Sequence, residues 1–352
     1  MKSVTSKLAA IAVAASTFLG AAAGAQELRE IRVSSQPALL GSVPLTVAEE
    51  QNMWREMGLR VTITNFPAGA PQIAASRSWD LGYTGAVPAV LGAARFDLHT
   101  FLFSDDQSAT NGIWVNGPQA ASIVANPTSL RGQTIFLTGN STVDLAVRAC
   151  LQRIGLSRTD VTLRSMGQAE IIAAMSSGSA NIGGLWAPNI YTVEEQAGAR
   201  PMCSGRDVNV MIPGNMVVRA DWARDNPELL ARFTAVYLRA QRWLAADRQR
   251  AIAAMRRHYE AGGVNISAAA MNREFELRPM YDHATQLAMF SRSGNAPSQA
   301  GQTMDAIATF MKEVGALRAD ETVPSSNVYV TDAALRRIDA DARLKAFANL
   351  GN

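Results

Sequence analysis

A short turn rich in hydroxyl and amide side chains has the composition of an anion-binding site. The segment Thr138–Thr142 follows a β-rich run and precedes a helical pattern, so it joins a strand end to a helix start. Backbone N–H groups at a helix start, with the positive end of the helix dipole, attract negatively charged groups. The hydroxyls of Thr138, Ser141 and Thr142 add donors, while Asn140 and Ser141 are favoured N-cap residues. The turn is either an anion site or an ordinary capped helix start.

Two further segments at predicted strand ends offer neutral hydrogen-bond donors. Thr84, Gly85 and Ala86 join a strand to a helix in the same manner, and the glycine lets a ligand approach the backbone closely. Gln36 follows the first predicted strand, where its amide can donate to a sulfonate or carboxylate oxygen. The alternatives are a tight turn without a ligand and a surface loop.

One aromatic and one cationic side chain complete the candidate ligand-binding residues. Trp186 follows a predicted strand, where its ring can cover an apolar part of a ligand and its indole N–H can donate. Arg164 lies near the end of another strand, and a guanidinium suits bidentate binding of an oxyanion. The alternatives are a core or hinge tryptophan and an exposed arginine. If Arg164 lies outside the site, neutral dipoles must hold the anion.

The sequence lacks the residue patterns of common catalytic and metal sites. Its three histidines, His99, His258 and His283, do not have metal-ligand spacing to a cysteine or to each other. The nucleophile-elbow, phosphate-loop and complete dinucleotide-binding motifs are missing from the sequence. We therefore expect a binding protein rather than an enzyme, with no metal and no cofactor.

The two cysteines, Cys150 and Cys203, have two alternative states. Export to an oxidising compartment favours a disulfide between them. Two buried free thiols are the alternative, because a sequence alone does not place two Cβ atoms within bonding distance.

Two segments of the chain carry the same alternation of strands and helices, and these elements must position the candidate residues. The β-rich runs are residues 31–34, 60–64, 80–84 and 98–103 in the first segment and residues 134–137, 161–166, 181–185 and 200–203 in the second. Strands separated by helices predict parallel β-α-β units, and two such segments predict two α/β lobes. Ligands bind beyond the carboxyl ends of such strands, so both sets of turns should face one cleft.

The first 25 residues have the composition of a Sec signal peptide. Lys2 and Lys7 form a positive start, Leu8–Leu19 is an apolar stretch, and an Ala-Gly-Ala cleavage pattern ends at Ala25. We therefore expect cleavage after Ala25, with no lipid anchor, and a periplasmic protein. A short N-terminal helix of the fold is the alternative.

The charge of the chain does not predict binding to nucleic acid. The net charge is +3, and removal of the two leader lysines leaves 3 − 2 = +1. The basic residues are scattered and do not form an aromatic-basic motif. We expect a soluble monomer without a nucleic-acid partner.

The order of several short pieces resembles one family of transport proteins. The pieces are Glu49–Val61, Asp80–Pro88, Leu137–Thr142, Gly178–Ala187 with the preceding Ala173-Ala174, and Val217–Ala223. Together they span about residues 30–245 and resemble the aliphatic-sulfonate, taurine and nitrate binding proteins of bacterial ABC importers. Each piece alone is weak evidence for this family, whereas the order of the pieces behind a leader is specific to it.

The resemblance implies a type 2 periplasmic binding fold, a two-lobed Venus flytrap in which each lobe is a mostly parallel sheet flanked by helices. We expect residues 26–110 and 216–352 to form lobe one, including the C-terminal helices, and residues 111–215 to form lobe two. The implied function is capture of a small organic anion by lobe closure for an inner-membrane ABC permease. In the family, the turn beginning at Thr138 faces the cleft.

The identity of the ligand stays open at this point. Turns rich in Thr, Ser, Asn and Gly beside one tryptophan favour an aliphatic sulfonate or taurine, because a bare nitrate site does not need an apolar wall. The alternatives are nitrate, a pyrimidine precursor and an aromatic carboxylate, or a sensor that signals to a membrane receptor. A related branch makes a thiamine pyrimidine with clustered cysteines, which this chain lacks.

Overall fold

The computed structural model describes residues 27–313, 315–318 and 320–350. The predicted leader, residues 1–25, lies outside the described residues. The strands are β1 Arg29–Ser35, β2 Leu59–Asn65, β3 Leu81–Gly85, β4 Leu98–Asp106, β5 Asn111–Val115, β6 Thr134–Leu137, β7 Thr162–Ser165, β8 Ile182–Trp186, β9 Arg200–Ser204 and β10 Pro213–Arg219.

Helices cover the faces of both sheets and form most of the chain after β10. They are α1 Val43–Glu50, α2 Met53–Glu56, α3 Gly69–Ala74, α4 Ala86–Phe96, α5 Ala120–Ala125, α6 Thr142–Arg153, α7 Gln168–Ser176, α8 Asn189–Ala197, α9 Ala220–Asp225, α10 Pro227–Ala246, α11 Arg248–Ala261, α12 Ala268–Leu277, α13 His283–Phe290, α14 Gln299–Glu313, α15 Ser326–Tyr329, α16 Ala333–Ala340 and α17 Ala342–Asn349. Within the described residues, every helix is too short or too polar to cross a membrane.

The strands form two five-stranded sheets, in the orders β2-β1-β3-β10-β4 and β7-β6-β8-β5-β9. In the first sheet β1 pairs in parallel with β2 and β3, while β10 runs antiparallel to β3 and β4. In the second sheet β6 pairs in parallel with β7 and β8, while β5 runs antiparallel to β8 and β9. Four strands of each sheet therefore share one direction, which confirms the predicted mostly parallel architecture.

The antiparallel strand of each sheet is the one that arrives from the other sheet. The chain leaves the first sheet after β4 and enters the second with β5, and it returns between β9 and β10. A segment that comes from the facing sheet enters at the carboxyl ends of the parallel strands, so it runs against them. Residues 107–110, between β4 and β5, form the first of these two crossings. The predicted lobe boundaries at residues 110 and 216 stay a prediction, and β10 already begins at Pro213.

One predicted helix is divided in two. The apolar spacing predicts a helix from Pro44 to Met57, whereas the structure ends α1 at Glu50 and begins α2 at Met53. Asn52 lies between them with φ of 56°, in the left-handed region that asparagine tolerates better than most residues. The periodicity continues across the break, which is why the sequence pattern does not reveal it.

Each sheet buries its own apolar face. Ile31 and Val33 of β1 are fully buried in the first sheet, and Ile113 and Ile135 are fully buried in the second. A disulfide joins Cys150 of α6 to Cys203 of β9, with 6.0 Å between the Cα atoms. Of the two alternatives that the sequence left open, the structure therefore has the disulfide, and it ties a helix to an edge strand of the second sheet.

Candidate functional site

Two helix starts, one from each sheet, meet between the sheets. Helix α4 begins directly after β3, and α6 begins after the turn that follows β6. Neither helix has a side-chain cap, so backbone N–H groups of both first turns are left for other partners. A Cβ built on Gly85 would lie only 2.1 Å from Oγ1 of Thr142. The two positive helix ends therefore converge, and only glycine permits this close approach.

A small cavity, which we call the inner chamber, lies at this junction and has a volume of about 30 Å³. It is lined by Gln36, Leu39, Gly69, Tyr83, Gly85, Pro88, Gln107, Asn111, Ser141, Thr142, Trp186 and Ala187. Among the residues that the structure describes, no Asp, Glu, Lys, Arg or His lines the inner chamber. An anion in the inner chamber would therefore be held by amides, hydroxyls and helix dipoles rather than by a cation.

A larger cavity of about 460 Å³, the outer chamber, adjoins it. The two chambers share Gln36, Leu39 and Trp186. The outer chamber is also lined by the beginning of α7, by one face along α8 and by the connection Gly262–Asn265 between α11 and α12. Together the chambers have the form of a narrow polar end with a wide entrance.

The Gln36 amide is held in place by a buried hydrogen-bond network. Gln36 is 7% exposed, and its Nε2 donates to Oε1 of Gln72 over 3.0 Å. Nε2 of Gln72 donates in turn to Oγ of Ser34 and to the carbonyl oxygen of Tyr83. Gln36 is therefore not part of an exposed loop, and its side chain reaches both chambers with a fixed orientation.

Tyr83 connects the inner chamber to a buried group of charges. Its hydroxyl oxygen accepts from Nε2 of Gln107 over 2.8 Å and from Nη2 of Arg278 over 3.3 Å. The Arg278 side chain is 2% exposed and contacts Asp105 over 2.6 Å and Glu274 over 2.7 Å. Burial, with the nearby Asp105 carboxylate, raises the pKa of Tyr83, so this phenol stays neutral. Burial likewise raises the pKa of Glu274.

The crossing segment supplies two site residues that sequence reasoning missed. Gln107 begins the crossing and Asn111 directly follows it, and both line the inner chamber. Asn111 lies opposite Trp186 in the β5–β8 register, and its Nδ2 donates to the carbonyl of Gln107 over 3.2 Å. Its Oδ1 is a buried acceptor without a partner among the described residues. The two amide residues lie on either side of the predicted lobe boundary at residue 110, and this position was the available signal.

The structure brings five of the ten predicted ligand-binding residues together around the inner chamber. These five are Gln36, Gly85, Ser141, Thr142 and Trp186. The Ser141 hydroxyl donates its hydrogen to the carbonyl of Thr138 over 2.6 Å. The donor that Ser141 can offer to a ligand is therefore its backbone N–H. Trp186 lies between the two chambers rather than in the core.

Four other predicted residues lie close by but do not line either chamber. Thr84 and Ala86 are fully buried behind Gly85. Thr138 donates to the carbonyl of Met166 over 2.9 Å and accepts from Nε2 of Gln168, so it orients an outer-chamber residue. Asn140 is exposed, with φ of 55°.

Arg164 is the clear departure from the predicted site. Its side chain is exposed, lies over the ring of Phe136 at 5.8 Å, and lines neither chamber. Strand β7 is an edge strand with mostly exposed residues, so the alternation of its sequence does not identify an inward face. The structure therefore corrects the placement of Arg164 in the cleft.

Comparison with known proteins agrees with this architecture. The chain is 29% identical to a putative aliphatic sulfonates-binding protein of Bacillus subtilis (strain 168), over 64% of this chain and 68% of that protein. It is 25% identical to a taurine-binding periplasmic protein of Escherichia coli (strain K12), over 56% of this chain and 62% of that protein.

A solved structure shares the fold at low sequence identity. The alkanesulfonate-binding protein of Xanthomonas axonopodis pv. citri, determined with MOPS bound, aligns with a TM-score of 0.67 and 22% identity, over 87% of this chain and 98% of that chain. The fold is thus that of the periplasmic binding proteins, as predicted. The NMT1/THI5-like family matches residues 41–251, which is more than half of the sequence, and the chain therefore belongs to this family.

Proposed function

We propose that this chain is the substrate-binding component of an ABC importer and captures a small organic sulfonate between its two lobes. The observation that carries the proposal is the convergence of two uncapped helix starts on a chamber without charged side chains. A sulfonate remains an anion throughout the physiological pH range and presents three acceptor oxygens. Two helix starts and several amides match that demand for donors.

The proposed site consists of Gln36, Gly85, Ser141, Thr142 and Trp186, with Tyr83, Gln107 and Asn111 as additions from the structure. Residues from both sheets line the chamber, so a ligand there would contact both lobes at once. A ligand that makes its full contacts only in the closed form shifts the population toward that form. Lobe closure is therefore the proposed capture step.

The proposed cellular role follows from the relatives and from the leader. The proteins with related sequences are named as sulfonate-binding and periplasmic taurine-binding proteins. We accordingly propose that the mature protein works in the periplasm as a monomer and delivers its ligand to an inner-membrane permease. The lobe boundaries at residues 110 and 216 belong to the same proposal.

A thermal-shift screen of residues 26–352 tests the proposal. The ligands are alkyl and aryl sulfonates, taurine, nitrate, carboxylates and pyrimidines. A ligand at a hundredfold excess over its Kd stabilises the folded form by about 2.7 kcal/mol. We expect a shift with sulfonates that Thr142→Ala reduces and that Arg164→Ala, at an exposed position, leaves unchanged. A shift with pyrimidines or carboxylates alone would refute the sulfonate assignment.

A further inference from the structure

The outer chamber is too large to be only an entrance to the inner one. Its volume is about 460 Å³, against about 30 Å³ for the inner chamber. Cavities of about 300–1,000 Å³ are typical of sites that enclose whole small molecules. An anionic group held at the two helix starts would therefore leave a space the size of a ring system beside it.

The lining of the outer chamber carries no charged side chain. It combines proline, small apolar residues and Trp186 with the amides of Gln36, Gln168, Asn189, Gln196 and Asn265. Amides offer both donors and acceptors without charge, and their planar groups pack against flat rings. The lining therefore suits a neutral group that is partly apolar and has polar edges.

The carboxylates on α7 and α8 that are nearest in sequence to this lining are occupied elsewhere. Glu194 of α8 accepts from Nε1 of Trp114 over 2.8 Å and pairs with Arg273. Glu195 accepts from the backbone N–H of Ser267 over 3.2 Å. On α7, Glu170 caps its own helix by accepting from the N–H of Gly167. An ammonium group packed against the α7 and α8 wall of the outer chamber would thus lose part of its water without gaining an ion-pair partner, which is unfavourable.

The inner chamber does not offer an ion-pair partner for an ammonium either. Its one orphan acceptor is the neutral amide oxygen of Asn111, among the residues that the structure describes. A single neutral oxygen does not replace the hydration of a full positive charge. A short zwitterion is therefore a poorer fit than a sulfonate of the same length without the amine.

The walls of the outer chamber are fixed by contacts within the protein. Nε2 of Gln168 donates to the carbonyl of Gly184 over 3.2 Å, and its Oε1 accepts from Nδ2 of Asn189 over 3.1 Å. On the opposite side, a Cβ on Gly262 would lie 2.8 Å from Cβ of Ala38, so the α11–α12 connection rests directly on the segment after β1. A chamber with walls held in this way can select ligands by shape.

From these observations, and resting on the proposed function, we infer that the outer chamber is a tail-binding subsite. It selects sulfonates with a bulky, uncharged, ring-sized tail and discriminates against zwitterions such as taurine. The α11–α12 connection, which follows both sheets in the sequence, is part of what determines this specificity.

Calorimetric titration of matched ligand pairs tests the inference. Ethanesulfonate against taurine isolates the ammonium group, and naphthalene-2-sulfonate against methanesulfonate isolates the tail. We expect the first member of each pair to bind at least about tenfold more tightly, equivalent to about 1.4 kcal/mol. If sulfonates bind but both pairs differ by less than twofold, the inference is wrong and the proposed function stands. If no sulfonate binds, the proposed function fails and the subsite fails with it.

Two variants probe the lining directly. Gln196 lines the outer chamber at an exposed position, so Gln196→Glu should raise the affinity for taurine relative to ethanesulfonate by about threefold. Gln119→Glu makes the same change at an exposed position outside both chambers and should not alter that ratio. Thr192→Trp should fill the outer chamber, weakening naphthalene-2-sulfonate while sparing methanesulfonate. Equal ratios in Gln196→Glu and wild type would overturn the inference even if Thr192→Trp does not fold.

Discussion

Replacement of Gly85 by alanine perturbs the contact between the two helix starts more directly than any other change in the site. The added Cβ would lie 2.1 Å from Oγ1 of Thr142 and 3.3 Å from Cβ of Thr142. Ordinary contact between such atoms begins near 3.4 Å, so the first distance must grow by more than 1 Å. Either the Thr142 hydroxyl rotates out of the inner chamber or the two sheets separate. Both responses weaken binding of an anion between the helix starts.

The magnitude follows from the cost of inserting one methyl group into a packed contact. Overpacking of this kind typically costs about 1–3 kcal/mol. If the contact forms only when the lobes close, that cost falls on the ligand-bound state and not on the open one. The Kd for a bound sulfonate should then rise by about 5-fold to about 150-fold. The melting temperature of the ligand-free protein should change little.

Calorimetric titration with the tightest sulfonate from the screen measures this effect in a double-mutant cycle. Thr142→Ala removes Oγ1 and leaves only Cβ, at 3.3 Å, which is close to ordinary contact distance. Gly85→Ala should therefore reduce the affinity for the sulfonate by less than about threefold when Thr142 is already alanine. Thr142→Val keeps a branched side chain and should not relieve the clash. If Gly85→Ala binds the sulfonate as tightly as the wild type, the close approach in the bound state is refuted. It is also refuted if Thr142→Ala and Thr142→Val restore the affinity of Gly85→Ala equally.

Three further predictions concern stability, each measured by urea unfolding. The Cys150–Cys203 disulfide closes a loop between residues that are 53 positions apart in the sequence. Replacing both cysteines by alanine should therefore lower the free energy of unfolding by about 4 kcal/mol. Arg278→Met should cost about 3–5 kcal/mol, because it leaves the buried Asp105 carboxylate unpaired. Burial lowers the pKa of His258 from 6.5 to about 4, so below pH 6.5 the unfolded chain binds a proton that the folded chain resists. Stability should therefore fall by about 3 kcal/mol between pH 6.5 and pH 4 through this group, and His258→Asn should lack that part of the loss.

Matched controls separate these effects from general damage. Reduction of the wild-type protein with dithiothreitol should reproduce most of the loss caused by removing the disulfide. Arg164→Met makes the same change as Arg278→Met at an exposed position and should cost less than about 0.5 kcal/mol. An acid profile of His258→Asn that overlays the wild-type profile would contradict the assignment to His258. Equal losses for the two arginine variants would contradict the buried ion-pair argument.

The parts of the site that depend on local sequence could be predicted. The turns beginning at Thr84 and Thr138 each join a strand end to a helix start within a few residues. This short connection fixes the direction of the chain, and therefore the direction of the helix dipole, at the strand end. Gly85 and Thr142 accordingly lie at helix starts, in the structure as in the prediction. The mostly parallel sheets follow from the same local alternation, because a helix between two strands leaves them pointing the same way.

The parts that depend on distant contacts could not be predicted. Tyr83 and Arg278 are separated by 195 positions in the sequence, and only the docking of α12 on the crossing segment brings their side chains together. Strand β7 is at the edge of its sheet and its residues are mostly exposed, so its pattern could not decide between the cleft and the exposed position that Arg164 has. The division of the first predicted helix depends on the left-handed backbone conformation of a single residue, Asn52. The spacing of apolar residues does not reveal such a conformation.

Under the proposed function, a site that holds an anion with neutral groups alone would make affinity depend on lobe closure. In an open form each helix start faces water, where its dipole stabilises an anion by only about 0.3–1 kcal/mol. In the closed form both helix starts and the amides of Gln36 and Gln107 act on one water-excluded chamber, where electrostatic interactions are stronger. An arginine in the chamber would retain attraction in the open form and slow release. Arg278, whose guanidinium contacts the Tyr83 hydroxyl, is instead paired with Asp105 and Glu274. In the proposed capture cycle, opening of the lobes alone would therefore be sufficient to release the ligand.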